Sequence, residues 1–261
     1  MIKLIASDID GTLVADGTHE LNPELYEVIT ALKDRGVQFA AASGRQWASI
    51  EELFRPVRER IFYLSDNGAY VGCHGRNLFL QTIDRELALE LVAAIRQTPE
   101  LEVMISGPDV VYMDTKDQDF LDWMIHGYRF RVEQVPDITK VNDSFIKVSA
   151  YKKHGVEEAT RQLRQQFGSR MKMTLSGDMW LDCMAVGVSK GSAIRILQES
   201  LQIRPEETMA FGDQFNDIEM LGQAYYSFAV ANARPEVKAA ARFQADSNRR
   251  DGVLKILKQL L

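Results

Sequence analysis

The sequence predicts an α/β protein, a doubly wound parallel sheet interrupted by an inserted α+β segment. Three observations predict it. Near-continuous apolar runs alternate with amphipathic helical patterns in both terminal parts of the chain, as in a parallel sheet covered on both faces. Several of these runs end in short polar tails, most of them with a glycine. Between about residues 83 and 185 the alternation gives way to hairpin patterns.

Ile2 to Ser7 is the first buried-strand candidate. Asn22-Pro23 then opens a helix, with Asn as N-cap and Pro at the first helical position. Leu25, Ile29 and Leu32 recur at helical spacing, and Gly36 sits where a C-terminal glycine belongs. Val37 to Ala42 is a second run, followed by Ser43-Gly44-Arg45 and another helical stretch. Ile61 to Leu64 is a third, ending at Ser65-Asp66-Asn67-Gly68, and Thr208 to Phe211 a fourth, ending at Gly212-Asp213. Asp251-Gly252 starts a terminal helix with Val253, Ile256, Leu257 and Leu260 on its apolar face.

The middle reads differently. A hairpin is expected over Ala69–Cys73 and Asn77–Thr82. A helix over Arg85–Gln97 precedes a hairpin over Glu102–Asp114, turning at Ser106-Gly107-Pro108-Asp109. A helix over His154–Phe167 precedes a second hairpin over Met171–Cys183, turning at Ser176-Gly177-Asp178. Helix and hairpin thus occur twice, as an internal repeat or by coincidence. The boundaries that follow are a core of residues 1–82 and 186–261 and an insertion of residues 83–185, both of ordinary domain size.

Composition excludes several classes. The 261 residues are 46% apolar and 26% charged, which rules out collagen-like, disordered and coiled-coil chains. A chain this long buries roughly 70–75% of its unfolded surface, so it needs no disulfide or metal staple. Lys and Arg number 31 against 37 Asp and Glu, for a net charge of −6. Basic residues are scattered, with only short clusters such as Arg249-Arg250, so no nucleic-acid partner is expected. Cys73 and Cys183 read as free thiols of a reducing compartment. Met1 to Asp8 is too short an apolar run for a signal peptide, and no stretch reaches the ~20 apolar residues of a membrane span. The expectation is a cytoplasmic protein with no membrane partner, a monomer or small homo-oligomer.

Four strand ends carry the chemistry. Asp8-Ile9-Asp10-Gly11-Thr12 puts two carboxylates two residues apart where a strand meets its loop. That pattern is expected about 0.002 times by chance in a chain of this length, and ligand sites of parallel sheets form at this end of the strands. A calcium loop is excluded, because its glycine and glutamate positions are filled by Leu13 and His19. Aspartates that merely cap a turn remain the bland alternative. Ser43-Gly44-Arg45 supplies a hydroxyl and backbone donors at an expected helix start, a ready anion site. Gly212-Asp213-Gln214-Phe215-Asn216-Asp217 adds another pair of carboxylates. Lys190 opens a helical stretch, Ser192–Leu201, where its charge opposes the helix dipole and calls for a partner; a Walker A loop is excluded by the order Lys-Gly-Ser. Carboxylates suit Mg²⁺ with substrate phosphate oxygens, and a carboxylate can be a nucleophile. The parts are those of phosphoryl transfer.

These residues resemble the four motifs of the haloacid dehalogenase (HAD) superfamily. Asp8 to Thr12 match the first motif, Ser43 the second, Lys190 the third, and Gly212-Asp213 through Asp217 the fourth. The insertion is similar to a type-IIB cap, and Asp66-Asn67-Gly68-Ala69 and Gly187 to Gly191 resemble the Cof-type phosphatases. The one small departure, Gln214, touches no catalytic position. The resemblance implies a HAD-like, Rossmann-like core, with the insertion as a cap. It also implies a Mg²⁺-dependent phosphatase of small phosphorylated substrates, such as sugar phosphates and similar phosphomonoesters. Asp8 would be the nucleophile that forms an aspartyl-phosphate, and Asp10 the general acid and base. Mg²⁺ would be held by Asp8, the Asp10 carbonyl and Asp213. Ile9, Ser43, Gly44, Lys190 and Asn216 would hold the phosphoryl group, with Thr12 and Asp217 in support.

The insertion would be a lid that sets substrate choice, but no motif in it names a contact. Trp180 and Tyr112 could line the site, although aromatics at strand spacing more commonly pack as core; Met171 and Met173 read as packing. Two other functions share the parts: a phosphomutase, and a phospho-accepting regulatory protein, against which the acid/base Asp10 and the long insertion argue. A HAD-like protein that only binds ligand is disfavoured by the filled catalytic positions.

Overall fold

The computed structural model describes residues 1–15, 18 and 20–261. His19, which helped to exclude a calcium loop, lies outside the described residues. The chain builds two sheets. The first starts with β1 (Leu4–Ser7), β2 (Gln38–Ala42) and β3 (Ile61–Ser65), which are mutually parallel, and continues through antiparallel β4 (Tyr70–Cys73) and β5 (Arg76–Leu80). The chain then forms a six-stranded sheet from β6 (Glu102–Ser106), β7 (Val111–Met113), β8 (Val132–Gln134), β9 (Lys147–Tyr151), β10 (Lys172–Leu175) and β11 (Trp180–Met184). It returns with parallel β12 (Thr208–Gly212), β13 (Tyr226–Val230) and β14 (Phe243–Ala245). The eight-stranded order is β14-β13-β12-β1-β2-β3-β4-β5, and the six-stranded order β10-β11-β9-β6-β7-β8.

The burial of β1 follows from its place. It pairs on one side with β12 and on the other with β2, and Leu4, Ile5 and Ala6 are fully buried. Only a strand apolar on both faces tolerates that position. Helix α1 (Glu24–Asp34) begins as its sequence signals: the Asn22 Oδ1 accepts the Glu24 N–H at 3.0 Å, and Pro23 is already helical. Helix α2 (Trp47–Leu53) follows β2. Helices α3 (Arg85–Arg96), α4 (Gln118–Asp122) and α5 (Glu157–Phe167) fall between β5 and β10. The later helices are α6 (Lys190–Leu201), α7 (Ile218–Gly222), α8 (Pro235–Ala240) and α9 (Gly252–Lys258).

Each sheet carries its own apolar core. Leu25, Ile29 and Leu32 pack with β1 and β2 under the larger sheet, while Leu91, Val103, Leu163, Met171 and Met173 pack under the smaller one. A small further cluster, including Ala69, Ile146, Met184 and Val188, sits where the chain crosses between the sheets. Both expected hairpins of the middle segment form, as β6–β7 and β10–β11. They enter the sheet differently: the first joins the central β9 by its leading strand, the second by its trailing strand.

Candidate active site

β1, β2 and β12 are neighbours in one parallel sheet, so the residues just beyond their carboxyl ends converge. At the end of β1 the chain turns at once: the Ile9 carbonyl accepts the N–H groups of Thr12, Leu13 and Val14 at 3.2, 2.8 and 3.0 Å. Gly11 makes the turn with φ +81°, and a Cβ there would stand 2.3 Å from the Asp213 carboxylate. Of the twenty residue types only glycine tolerates that dihedral and that closeness together. The Asp8 and Asp213 loops are thereby pressed together.

Four side chains form a nearly closed ionic core. Lys190, at the start of α6, donates to Asp8 Oδ1 at 2.6 Å and to Asp217 Oδ1 at 2.7 Å. The Asp217 Oδ2 accepts the N–H groups of Asp213 and Gln214 at 2.8 and 2.9 Å. The Thr12 hydroxyl donates to Asp213 Oδ1 at 2.7 Å. Exposure is 4% for Asp8, 3% for Asp213, 1% for Lys190 and 0% for Asp217, so three carboxylates share one ammonium out of water. Burial and then the Asp217 charge push the Asp213 carboxyl up to about 7, and burial with the same neighbour raises Asp8 well above the usual carboxylate range. Burial works against the Lys190 charge, but Asp217 and Asp8 outweigh it and raise the ammonium.

That excess of buried negative charge is the test of fit for a cation. Oxygen atoms of Asp8, Asp213 and Asp217 lie within 4.8 Å of one another. The donors are all hard oxygens, as a divalent cation of the Mg²⁺ or Ca²⁺ type requires. Asp217 is already committed on both oxygens, to Lys190 and to two backbone amides. The site therefore fits a cation held by Asp8 and Asp213, with Asp217 fixing the loop and the lysine.

Asp10 lies on the open side of this group. Arg45 grips it with two bonds, Nε to Oδ2 at 2.7 Å and Nη2 to Oδ1 at 2.6 Å, and also donates to the Thr18 carbonyl at 2.7 Å. Arg45 itself is 2% exposed and stands over the Tyr128 ring. The fork matches the two carboxylate oxygens and fixes their plane. Ser43 lies one residue past β2, its Oγ accepting the Arg45 N–H at 3.1 Å. The helix expected to begin there does not: Gln46 is still extended, and α2 starts at Trp47. The Ser43 N–H is spent on the Leu64 carbonyl in continuation of the sheet ladder, so no helix dipole reaches this serine. The amides of Ile9 and Gly44 take no part in backbone hydrogen bonds among the described residues.

A second ionic group joins the two sheets beside the first. Lys147 of β9 is 2% exposed; its Nζ lies 3.0 Å from Asp66 and 3.7 Å from Asp182, and donates to the Gly44 carbonyl. Asp182 of β11 accepts from Ser149 of β9 and from Ser176 in the β10–β11 turn at 2.6 and 2.8 Å, and from Asn67 Nδ2 at 2.6 Å. Asn216 Nδ2 in turn donates to the Asn67 Oδ1 at 2.9 Å. Burial opposes the Lys147 charge, but Asp182 and Asp66 together raise it. Burial pushes the Asp66 carboxyl up, against the pull of Lys147.

A cavity partly open to solvent is bounded by Asp8, Asp10, Ser43, Gly44, Asp213 and Asn216 on the larger sheet and by residues of the smaller sheet opposite. Lys190 and Asp217 lie behind this wall. Trp180 lines the cavity as well as packing in a buried aromatic cluster, whereas Tyr112 packs in the core and donates to Asp143 at 2.8 Å. Sequence reasoning quoted Arg45 and Asn67 within motifs but gave their side chains no role, and it passed over Lys147 and Asp182. The latter two had a signal: they are charges inside otherwise apolar strands, a placement that demands a buried partner.

The family model described as haloacid dehalogenase-like hydrolase matches residues 5–257. A 5-amino-6-(5-phospho-D-ribitylamino)uracil phosphatase of Escherichia coli (strain K12) is 31% identical over 261 residues, covering 100% of this chain and 96% of the relative. A crystal structure from Eubacterium rectale superposes with a TM-score of 0.87 at 35% identity, covering 100% of this chain and 99% of that one. A HAD subclass IIB sugar phosphatase shares the fold, with a TM-score of 0.81 at 23% identity over 99% of this chain and 98% of its own.

Proposed function

This chain belongs to the haloacid dehalogenase-like hydrolases, and from that membership we propose how this phosphatase works and on what. Its substrates are small phosphomonoesters of sugar-type alcohols. The reading rests above all on Asp8, a buried carboxylate held by Lys190 at 2.6 Å and facing the cavity that Asp10 and Ser43 also line.

Asp8 attacks phosphorus, and the P–O bond to the alcohol breaks as the aspartyl-phosphate forms. Asp10 gives its proton to the departing alkoxide, then takes one from the water that attacks the same phosphorus, releasing phosphate and restoring the Asp8 carboxylate. Arg45 keeps the Asp10 carboxyl in plane for both transfers. The Ile9 and Gly44 amides, the Ser43 hydroxyl, Lys190 and Asn216 hold the phosphoryl oxygens as charge builds on them. Asp8, the Asp10 carbonyl and Asp213 would hold Mg²⁺, which when bound lowers the repulsion between an anionic nucleophile and an anionic ester. Thr12 orients Asp213, and Asp217 orients Lys190. Residues 83–185 act as a cap over a core of residues 1–82 and 186–261, a division supported by the two sheets and their separate apolar cores.

The test is phosphate release from an aryl phosphate, with Mg²⁺ and with chelator, for wild type beside Asp8→Asn. Turnover should require both the cation and Asp8. Turnover that persists in Asp8→Asn removes the covalent route. A panel containing sugar phosphates, polyol phosphates and the phosphoribityl compound of the E. coli relative then ranks substrates.

A further inference from the structure

The cavity extends beyond the Asp8 loops. Its opposite wall comes from the smaller sheet and the segment after α4: Met104, Tyr128, Phe130 and Trp180. These side chains are held in place by their own contacts. The Trp180 ring lies 4.8 Å from Tyr151 and 6.1 Å edge-on from Tyr128, Tyr128 lies 5.3 Å from Phe130, and Tyr151 stacks on Phe120 at 4.5 Å. A wall already assembled loses little side-chain freedom when a ligand binds.

Most of the charged groups around the same space are committed to one another, while Trp180 Nε1 and Asn216 Oδ1 have no partner among the described residues. The oxygens of Asp182 accept from Ser149, Ser176 and Asn67, Lys147 is spent on Gly44 and Asp66, and Arg45 holds Asp10. A fully hydroxylated sugar pushed against this wall would surrender water from its hydroxyls and meet rings and a thioether in return. A planar ring would surrender little and gain stacking.

We infer that Met104, Tyr128, Phe130 and Trp180 form a ring-binding subsite, and that the substrate is a phosphorylated sugar or polyol whose far end carries a planar, uncharged aromatic or heterocyclic group. This rests on the phosphatase reading only for the end at which the phosphate lies.

The test uses two esters that differ by one ring. Uridine 5′-monophosphate and ribose 5-phosphate share the phosphorylated alcohol, and only the first bears a planar base. Calorimetric titration of Asp8→Asn protein in Mg²⁺ measures both without turnover. The nucleotide should bind at least about tenfold more tightly, the scale of one base stacked on aromatic rings. In Asp8→Asn/Trp180→Leu that preference should fall below about threefold. Tyr128→Leu, made in the same background, serves the same purpose if the tryptophan variant does not melt as a folded protein. Equal affinity for the two esters overturns the subsite, as does a preference that survives both substitutions. Phosphate release by wild type is followed in parallel. Release from both esters with equal affinities leaves a phosphatase without this subsite; a nucleotide preference with release from neither leaves the subsite and removes the phosphatase reading.

Discussion

Replacing Lys190 by Met removes the one ammonium that three buried carboxylates share. Asp8 and Asp217 each lose a bond, of 2.6 and 2.7 Å, and neither can turn to water, being 4% and 0% exposed. Breaking a buried ion pair by removing one partner costs about 3–5 kcal/mol. At roughly 2–4 °C per kcal/mol for a chain of this size, the metal-free protein should melt roughly 6–20 °C lower at pH 8. The sign of the pH dependence follows from the carboxyls. Asp213 is already raised to about 7 with the lysine present, and Asp8 is raised too. A carboxyl that binds its proton more tightly folded than unfolded subtracts stability as pH climbs from the unfolded value toward the folded one. The deficit of Lys190→Met should therefore be largest above pH 7 and shrink as pH falls toward 5. Mg²⁺ should recover part of it at pH 8, since a cation bound to the native state alone stabilises that state. Thermal melts of both proteins at pH 5 and 8, with chelator and with Mg²⁺, read all of this. A deficit of equal size at both pH values, untouched by Mg²⁺, would refute the picture of a charge-frustrated carboxylate cluster.

Three further substitutions probe neighbouring contacts. Asp10→Asn should slow turnover by about 10²–10⁴, the usual worth of a general acid and base, while leaving Mg²⁺ affinity within about threefold, because its proposed metal contact is a carbonyl; a large fall in affinity by calorimetry would contradict that contact. Gly11→Ala places a methyl 2.3 Å from Asp213 in a left-handed turn, so Mg²⁺ affinity and activity should drop together by tenfold or more, and wild-type affinity would mean that the two loops are not locked. Lys147→Met should destabilise by about 3–5 kcal/mol, but less when combined with Asp66→Asn, since the carboxylate that the lysine serves has gone. Strictly additive effects in denaturant melts would show that the two do not act as a pair.

Much of the larger sheet could be read from the sequence because its central strands are buried on both faces and written as unbroken apolar runs. Leu4-Ile5-Ala6 and Phe39 to Ala42 admit few other readings. The edges were harder. β14 has three residues, two of them exposed, and carries no periodicity to detect. The segment between β7 and β9 was missed because α4 runs into a π-turn at Trp123–Gly127, where the 3.6-residue spacing fails. At the site, Asp8, Ser43, Lys190 and Asp213 announced themselves by ending strands or starting a helix. Arg45 stood beside Ser43 in plain view, but nothing local says that its guanidinium turns back to Asp10. Lys147 and Asp182 signal that partners exist, but an isolated charge in a strand does not name them: that takes β9 beside β11 and Asp66 brought against Lys147 from the larger sheet.

The position of β1 also orders events in time. Thr12 and Asp213, which touch at 2.7 Å, are 201 positions apart, and β1 stays an unpaired edge on one side until β12 has been made. At about 5–20 residues per second, a ribosome takes roughly 10–40 s to cover that distance. The six-stranded sheet draws every strand from residues 102–184, and α3, which packs under it, precedes them, so the whole unit is complete before β12 is made. Its amides should gain protection from hydrogen exchange earlier than those of β1 when the chain is pulse-labelled during synthesis. Asp8 thus meets Lys190, 182 positions further along, and the Asp213 loop only after the smaller sheet has been made, so the buried ionic cluster is assembled late.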